Sequence, residues 1–589
     1  ALAIAIALPG TPAEAGPTPP PSAALASPSS APSTAPTAVY REGIIGRPSS
    51  INPLTARTQA DRDLAALVFS GLVAIGRDGT YRPDLASGWQ MDPKGKVWTF
   101  TIRPDAHWQD GVPVTSDDVV FTVAVLQDPD YSGPLAASWR GVSVTAVSQR
   151  TVSFTLTNPI GGFLQAATIG LLPAHLLADA PIATLADDPF SRQPVGSGPF
   201  VLESWNAETA TLVPASLANA PAGEPDASAP PSPEGSLDPG ASAAATAGTA
   251  SGSPGPSALP SASPNERSSS EPELPGIELH FYPDAQALAA AYRAGEIDVA
   301  TGLPPDLATQ LAALPSSRLL RYPRTTLTAI ALNLRPGNGE LRVPALRHGL
   351  LAAIDRKGLI GDVFAGLAVR ADSPIPPSSW AFDPKASRQV RYDVKRAAAD
   401  LKAAGWKRLA GGWAAPGTRK PYVMELISPD ATTNPTAMAV AEAVAADWRA
   451  FGLQTKVTGL PPAKFVDGRL RTGTFQAAAV DVTIGLDPDL YPLFGSTQVA
   501  KGSNITGIQD VALDRALIKA RAPGSESVRK AAFSRLQLRL AERDYLLPIA
   551  FRDELVVLSD RVQGPVVREL GDPSDRYWDV LTWRLADGG

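Results

Sequence analysis

The 589-residue sequence contains no cysteine, and this absence removes several classes of function at once. Disulfide frameworks, thiolate metal sites and cysteine nucleophiles all require the thiol group. The lipid-attachment cysteine that many exported proteins carry is missing for the same reason. Any cohesion of the fold must therefore come from packing, hydrogen bonds and ion pairs.

Charge is also scarce, since only 19% of the residues are charged and the net charge is −6. No surplus of Lys and Arg is available to neutralise phosphates, so we expect no nucleic-acid partner. Residues 214–275 hold seven acidic residues and one basic residue, which leaves the rest of the chain near neutral. A near-neutral body argues against strong electrostatic steering of a highly charged partner.

Long hydrophobic runs are absent from the body of the sequence, but its first eight residues are all apolar. Two interpretations of this start remain open. It is the end of a signal-peptide apolar region with a small-residue cleavage site at residues 13–15, or the end of an uncleaved membrane anchor. Both interpretations predict an exported protein at the cell surface or in the periplasm. They differ in whether residues 1–15 are removed or tether the protein to the membrane.

Signatures of catalysis and of metal binding are missing as well. The sequence has no Walker loop and no His-Glu-x-x-His motif, and residues 196–198 (Gly-Ser-Gly) lack the glycine spacing of a nucleophile elbow. The four histidines, His107, His175, His280 and His348, show no ligand-like spacing. We therefore expect no enzyme, no metal and no cofactor.

Proline is abundant, with 59 residues, and it is concentrated in two segments of low complexity. Residues 16–39 consist almost entirely of Pro, Ser, Thr and Ala, a composition typical of an extended disordered stalk. Residues 213–275 contain no aromatic residue and predict a disordered insertion within a domain. A true interdomain linker is the alternative interpretation of that second segment.

Between these segments, strand and helix patterns alternate in the manner of α/β proteins. Strands are expected at 98–102, 277–282, 326–334 and 546–551. A long helix is expected at 435–451, because it ends at a glycine and its apolar residues recur with helical spacing.

An ordered set of short motifs runs through most of the sequence. It begins with Ser50-Ile-Asn-Pro-Leu54 and Val68-Phe-Ser-Gly-Leu72, and it continues with residues 81–89, 98–103, 108–119, 195–200, 295–298, 346–356 and 504–507. The string Trp108-Gln-Asp-Gly-Val-Pro-Val-Thr-Ser-Asp-Asp-Val119 is the most specific of them. Taken together, the set resembles the extracellular solute-binding proteins of the peptide and nickel type, family 5, which serve ABC importers.

The resemblance implies an α/β, two-lobed periplasmic-binding-protein-like fold with a central ligand cleft and an extra β-rich domain. Domain I is expected to be discontinuous, at residues 40–72, 193–326 and 550–589. The β-rich domain II is expected at 73–192 and domain III at 327–549. The implied function is a monomeric receptor that captures a small ligand, a peptide or a related molecule, and delivers it to the membrane permease subunits of an ABC importer.

The same resemblance implies which residues meet the ligand, with one departure from the family pattern. Peptide-binding members place a carboxylate three residues before an Asp-Pro or Glu-Pro step, whereas here the step is Asp487-Pro488 and that position holds Ile484. A peptide, a sugar, an opine-like compound and a metal chelate therefore all remain open as ligands. The candidate ligand-binding residues are Ser49, Ser50, Asn52, Trp380, Asp481, Asp487 and Asn504. An exported hydrolase and a non-transport ligand sensor are the alternative functions.

Overall fold

The computed structural model describes residues 39–133, 135, 139–218 and 272–586. The segment predicted at 1–15 and all but the last residue of the stalk predicted at 16–39 lie outside the described residues. Most of the insertion predicted at 213–275 also lies outside the described residues. Its two ends, residues 213–218 and 272–275, are described, and they differ from the prediction. Val213 and Pro214 complete a strand, and Leu274 is fully buried in the core. Both edges are apolar and pack with the folded body, so the insertion is shorter than predicted.

The chain starts one lobe and then forms a β-rich appendage. The lobe begins with β1 (Tyr40–Ile45) and α1 (Gln59–Val68). The appendage contains β2 (Val73–Ile75), β3 (Tyr81–Pro83), β4 (Ala86–Met91), β5 (Val97–Ile102), α2 (Ser116–Gln127), β6 (Val142–Ser148), β7 (Thr151–Leu156), α3 (Phe163–Ala166) and α4 (Ala174–Leu177). Its main sheet has the strand order β4-β5-β7-β6 and is antiparallel throughout. Two 3₁₀ turns at Ile182–Asp187 and Pro189–Ser191 lead back to the lobe.

The first lobe then continues as an α/β unit. Its elements are β8 (Phe200–Trp205), β9 (Thr209–Pro214), α5 (Ala215–Ala218), β10 (Ile277–Tyr282), α6 (Ala285–Ala294), β11 (Val299–Thr301) and α7 (Pro305–Ala312). Helix α6 starts where the Asp284 carboxylate accepts two backbone N–H groups, and it ends at Gly295 with φ 72. Strand β1 pairs in parallel with both β10 and β11, as strand–helix–strand connections require.

The second lobe lies between two long strands, β12 (Ser317–Leu332) and β19 (Leu546–Ser559). It contains a 3₁₀ segment at Pro336–Arg342, then α8 (Pro344–Ala352), α9 (Arg356–Phe364), β13 (Ala368–Arg370), α10 (Val394–Ala403), β14 (Lys407–Leu409), β15 (Gly412–Ala414), β16 (Val423–Pro429), α11 (Pro435–Phe451), β17 (Gln454–Leu460), a π-helical turn at Lys464–Leu470, β18 (Ala477–Thr483), α12 (Tyr491–Phe494), α13 (Gln498–Lys501), α14 (Val511–Arg521) and α15 (Glu526–Arg543). The chain returns to the first lobe with β20 (Val562–Gln563), a 3₁₀ segment at Pro573–Thr582 and β21 (Arg584–Leu585).

Strands β12 and β19 connect the two lobes within one eleven-stranded sheet. Ten of its strands follow the order β17-β16-β18-β12-β19-β11-β1-β10-β9-β8, and β13 pairs with β19 outside this order. Strands β12 and β19 pair with each other along nearly their whole length, so each strand runs through both lobes. Their register shifts between Pro323 and Leu327, where proline cannot donate to the ladder. The domain border predicted at 326/327 falls at this irregularity.

Two large apolar cores flank this connection. One core is shared by the first lobe and the β-rich appendage, so that Tyr40, Phe154 and Trp583 belong to a single cluster. The other core fills the second lobe around Trp448 and Phe494. A third, smaller cluster around Leu288 and Leu311 lies in the first lobe. The second lobe therefore has its own core, whereas the appendage shares a core with the first lobe.

The motif at 108–119 builds the scaffold of the appendage. Trp108 is buried and donates its indole N–H to Asp118 Oδ2 at 3.3 Å. The same carboxylate accepts the Thr115 N–H at 2.8 Å at the start of α2 and the Ala174 N–H at 2.9 Å. Asp118 thereby forms a capping box with Thr115 at the start of α2.

The Gly196-Ser197-Gly198 turn packs against the end of α1. A Cβ on Gly196 would lie 1.9 Å from Val68 O, and the Gly198 N–H donates to the same oxygen at 2.8 Å. The Ser197 hydroxyl accepts the Ser70 N–H at 3.2 Å. The glycines of this turn allow two backbones to touch.

A buried ionic cluster joins the beginning of the first lobe to its end. Arg576 donates to Asp63 Oδ1 at 2.7 Å and to Glu42 Oε1 at 2.8 Å, while Tyr577 and Tyr40 donate their hydroxyls to Glu42 Oε2. Burial raises the pKa of Asp63 to about 6, although the charge of Arg576 acts in the opposite direction. One guanidinium thus compensates two carboxylates.

Candidate functional site

A pocket lies between the two lobes. The appendage supplies one wall, made of Val142, Leu156, Ile160, Gly162, Phe163 and Ala166. The second lobe supplies the other wall, made of Asp487, Pro488, Asp489, Arg521 and Arg529. A second pocket is lined only by residues of the second lobe and of the strand that leaves it. The first pocket is therefore the one formed between the lobes.

The two lobes touch each other around this pocket. The Gly161 N–H donates to Arg521 O at 2.9 Å, and the Ser378 hydroxyl donates to the carboxylate of Glu569. Both hydrogen bonds join the second lobe to the rest of the molecule. The lobes are thus in direct contact in this structure, and both contribute to the walls of the pocket.

Two glycines after β7 make this close approach possible. A Cβ added to Gly162 would lie 3.1 Å from Asp487 Cγ, and one added to Gly161 would lie 3.0 Å from Arg529 Cζ. These distances are shorter than ordinary van der Waals contact. The backbone of the appendage at these glycines therefore packs directly against Asp487 and Arg529 of the second lobe.

That pair, Asp487 and Arg529, forms a bidentate ion pair in the lining of the pocket. Arg529 Nη1 donates to Asp487 Oδ2 at 2.8 Å and Nη2 donates to Oδ1 at 2.5 Å, the bidentate geometry that guanidinium and carboxylate favour. The guanidinium also lies over the ring of Trp380, with Cζ 4.7 Å from the ring centroid. Trp380 in turn packs edge-on against Phe533 of α15.

A second pair repeats this arrangement beside the first. Arg521, at the end of α14, donates Nη2 to Asp489 Oδ2 at 2.7 Å and lies over the ring of Tyr491 at 4.7 Å. The other oxygen of Asp489 accepts the Tyr491 N–H at 3.0 Å. The polar wall of the pocket is therefore electrically balanced, with two carboxylates and two guanidiniums.

Tyr81 lies near the Asp487–Arg529 pair on the side of the appendage. Burial raises its pKa well above the usual value, and the charge of Asp487 raises it further. Its hydroxyl donates to Gln165 Oε1 at 3.3 Å. Tyr81 thus remains neutral and adds a largely apolar ring near the pocket.

Of the predicted ligand-binding residues, the structure brings Trp380 and Asp487 together through Arg529. Asp481 lies apart from them on β18, where it accepts the Thr328 hydroxyl at 2.6 Å and Arg552 Nη2 at 2.7 Å. This places Asp481 next to the connecting strands rather than in the lining of the pocket.

The predicted residues of the first loop bond within their own lobe. The Ser49 and Ser50 N–H groups both donate to Asp61, and the Ser50 hydroxyl lies 2.8 Å from the Thr55 hydroxyl. Asn52 is fully buried, and its side-chain oxygen accepts the Leu54 N–H at 3.0 Å. We expected these hydroxyl and amide groups to bond a ligand, whereas in this structure they hold the loop, and of the three residues only Ser49 is exposed.

Asn504 shows the same departure from expectation more completely. Its amide nitrogen donates to Gly495 O and to Ile508 O, and its oxygen accepts from the Thr506 hydroxyl and the Gly507 N–H. All of its hydrogen-bonding capacity is used within the turn. A role in ligand binding therefore has no support from this geometry, because no polar atom of the side chain is left for a guest.

Sequence reasoning missed Arg521, Arg529 and the pair Gly161-Gly162. The arginines belong to helices whose patterns say nothing about the cleft. The two adjacent glycines, Gly161 and Gly162, were the available signal, since glycine often marks a close backbone approach.

The four histidines lie in different places and each has its own partner. His175 lies 2.8 Å from Asp110, and His348 lies 3.1 Å from Asp544. Within the described part of the chain, no three His, Asp or Glu side chains are grouped so as to hold a metal ion. Nor does any helix of that part combine the length and the apolar character needed to cross a bilayer.

A family model gives the broadest comparison. The model described as "Bacterial extracellular solute-binding proteins, family 5 Middle" matches residues 80–216 and 261–502, which is more than half of the chain. The residues between the two matched segments fall inside the predicted insertion.

Individual proteins match over nearly the whole length. Protein XP55 of Streptomyces lividans is 26% identical over 531 residues, covering 89% of this chain and 85% of that protein. The oligopeptide-binding protein AppA of Bacillus subtilis is 22% identical over 550 residues, with 92% and 91% covered. Its solved structure with a nonapeptide gives a TM-score of 0.70 at 21% identity and covers 93% of this chain and 99% of that one. NikZ of Campylobacter jejuni in complex with Ni(L-His) gives 0.70 at 22% identity, with 93% and 100% covered.

Proposed function

Since this chain belongs to the bacterial extracellular solute-binding proteins of family 5, we propose that it captures a peptide or a related small solute between its lobes and delivers it to an ABC importer. One observation carries the proposal: a pocket whose two walls come from different lobes, which are joined by the two strands β12 and β19. Relatives whose names specify oligopeptide, dipeptide and nickel binding support this class of cargo.

The proposed cycle is a movement of the lobes about the irregular stretch of β12. Separating the walls would break the Gly161–Arg521 hydrogen bond and expose the apolar side chains of the pocket. A guest that contacts both walls binds only the closed form well and therefore shifts the population toward it. Micromolar affinity needs about 8 kcal/mol of binding free energy, which a desolvated cleft of this kind can supply without any chemical step.

We place this function outside the cytoplasm, with one copy of the chain per binding event. The membrane permease subunits of the importer are the proposed partners, and the closed form is the one they would recognise. Whether the protein is tethered to the membrane would depend on residues 1–15.

Native mass spectrometry of the protein purified from its own host tests the proposal most directly. We expect a fraction of the molecules to carry one small guest, released at higher collision energy. The protein freed of its guest should then show a higher melting temperature when that guest is added back. Neither a bound mass nor a melting shift with the host's own extract would contradict capture of a solute.

A matched pair of variants locates the guest. Ala166→Trp places a large ring in the pocket wall and should abolish the bound mass. Ala531→Trp adds the same ring at an exposed position of α15, outside the lining of the pocket, and should leave the bound mass unchanged. Equal retention by both variants would place the guest elsewhere.

A further inference from the structure

The charge of the chain is unevenly distributed. Residues 385–420 hold ten basic and two acidic residues, a net charge of +8 in a chain whose total is −6. All other residues therefore sum to −14. The near-neutral average conceals one strongly basic segment, which lies in the second lobe and includes α10, β14 and β15.

The cations of this segment face solvent and are mostly unpaired. All ten basic residues are exposed. Within the described part of the chain, only Arg396 among them forms an ion pair, with Asp400 at 3.0 Å, and Arg408 donates to Gly452 O at 2.8 Å. The other eight side chains have neither an ion pair nor a hydrogen bond to any described residue. We call five of these eight, which lie on and beside α10, the basic surface: Arg388, Arg391, Lys395, Lys402 and Lys407.

Helix α10 forms the centre of the basic surface. Lys395 and Lys402 are seven residues apart, about two helical turns, so they lie on the same side of the helix. The opposite side packs Ala397 and Leu401 into the second lobe. Since Arg391 precedes the helix and Lys407 follows it on β14, the basic surface extends over the full length of α10.

Two cations lie where a helix does not favour them. Lys395 and Arg396 are in the first turn of α10, and the partial positive charge of a helix N-terminus repels cations. Asp393, which caps the helix, is the one exposed carboxylate of the segment, because Asp400 is buried. Like charges therefore gather where they destabilise the helix, and an anionic partner would compensate for this.

Two large apolar side chains are exposed among the cations. Tyr392 is 51% exposed and Val394 is 41% exposed, and both are neighbours in sequence of Arg391 or Lys395. An exposed tyrosine beside Lys and Arg is typical of surfaces that meet lipid headgroups, because its ring enters the interface while its hydroxyl stays hydrated. A partner that offered only negative charge, such as an acidic protein segment, would leave these two side chains without a contact.

We propose that the basic surface docks the second lobe on an anionic phospholipid bilayer. A bilayer offers many phosphate groups without a fixed geometry, which suits cations that no protein group holds in place. The same bilayer repels the remaining chain, with its charge of −14, so the docked molecule is oriented with α10 toward the lipid. This partner is additional to the solute and the importer of the proposed function, and the inference depends on neither.

Vesicle flotation of the full-length protein, without added solute, tests this docking. Vesicles of phosphatidylglycerol and phosphatidylcholine in equal parts are compared with vesicles of phosphatidylcholine alone. At low salt we expect binding to the anionic vesicles to be at least about tenfold tighter. Added salt should weaken this binding, because it screens exposed charges. Equal binding to both kinds of vesicle, which insertion of the apolar residues 1–8 would produce, overturns the inference.

A matched pair of variants places the contact on α10. Lys395→Glu combined with Lys402→Glu should lower the affinity for anionic vesicles by about tenfold or more, because each cation near such a bilayer contributes about fivefold. Lys94→Glu combined with Lys96→Glu changes the net charge by the same amount at exposed positions of the appendage and should bind nearly as the wild type does. An equal loss in both variants would show that only net charge matters and would overturn the inference. The corresponding change of Lys395 and Lys402 to Gln covers poor folding of the first variant and should give an intermediate loss.

Two further measurements separate a bilayer from an acidic protein. Tyr392→Ser should weaken binding to the anionic vesicles several-fold and leave its salt dependence unchanged, since the substitution removes no charge. Unchanged affinity in this variant would contradict contact of the ring with lipid. Retention of the wild type by immobilised polyglutamate, without binding to anionic vesicles, would identify an acidic protein as the partner and overturn the inference.

Discussion

Replacing Gly162 by valine is expected to oppose closure of the lobes without unfolding either of them. The backbone of Gly162 has φ −90, so an L residue is not strained there. Its Cβ, however, would lie 3.1 Å from Asp487 Cγ and 3.3 Å from Oδ2, and the methyl groups of valine would reach further. Overpacking of this kind disfavours a packed state by about 1–3 kcal/mol. Because the contact exists only in the closed form, the dissociation constant of a bound guest should rise by about 5- to 150-fold.

The lack of cysteine makes the movement itself measurable. Cysteines introduced at Gln90 on β4 and Lys519 on α14 would be the only two in the chain and can carry spin labels. With guest added, the wild type should show the short inter-label distance of the closed form, and Gly162→Val should show a longer or broader distribution. The melting temperature without guest should barely change. Gly88→Val is the control, since a Cβ there meets nothing within 4 Å. A closed distance distribution and unchanged affinity in Gly162→Val would refute the reasoning.

Three further predictions concern the scaffold of the first lobe. Arg576→Met leaves Glu42 and Asp63 buried without their cation and should lower the free energy of unfolding by about 3–5 kcal/mol in urea denaturation; a loss below about 1 kcal/mol would contradict the role given to the ionic cluster. The raised pKa of Asp63, about 6, means that the folded state binds this proton more tightly than the unfolded state, so its contribution to stability is present at low pH and lost as the pH rises through 6. Asp63→Asn should therefore become more stable relative to the wild type between about pH 4 and pH 7, and a difference that does not change with pH would refute the assignment. Gly196→Ala places a methyl group 1.9 Å from Val68 O and should lower the urea midpoint clearly, whereas an unchanged midpoint would show that the turn can yield.

Local signals were sufficient to predict many of the elements. Helix α11 was predicted with the bounds it has, because the Asn434 side chain accepts the Ala437 N–H at its start and Gly452 ends it with φ 91. Strand β10 was also predicted with its observed bounds, 277–282. Caps, stops and alternation lie within a few residues of the element they define, so one sequence displays them.

The two connecting strands were predicted only in part, and charge explains why. Strand β12 was expected at 326–334 but starts at Ser317, and β19 was expected at 546–551 but continues to Ser559. The missing halves contain charged residues that interrupt the apolar pattern. In the fold these residues pair across the strands, as Arg321 does with Asp553 at 2.6 Å and Arg324 with Glu554 at 3.1 Å. Such partners are distant in sequence, so periodicity could not reveal them.

In the candidate site, too, some residues could be predicted from the sequence and others depend on contacts between distant segments. Asp487 and Trp380 could be proposed from motif positions, but Arg529, which joins them, comes from a helix whose pattern indicates only amphipathic packing. Asn52 and Asn504 were proposed because of their amide groups. In the structure both amide groups form hydrogen bonds within their own turns. Motif position indicates neighbourhood in the fold, whereas free hydrogen-bonding capacity depends on the tertiary contacts.

The cluster around Arg576 has a consequence for how the polypeptide assembles as it is made. Arg576 and Glu42 are 534 residues apart along the chain, so the first lobe cannot complete its interior until nearly all of the protein has been synthesised. The second lobe needs only the segment between β12 and β19 and can become compact earlier. Contacts of such long sequence separation form late and slowly. The first lobe therefore starts to form first but is completed last. Its apolar strands stay accessible to chaperones, or to other chains, during most of the synthesis.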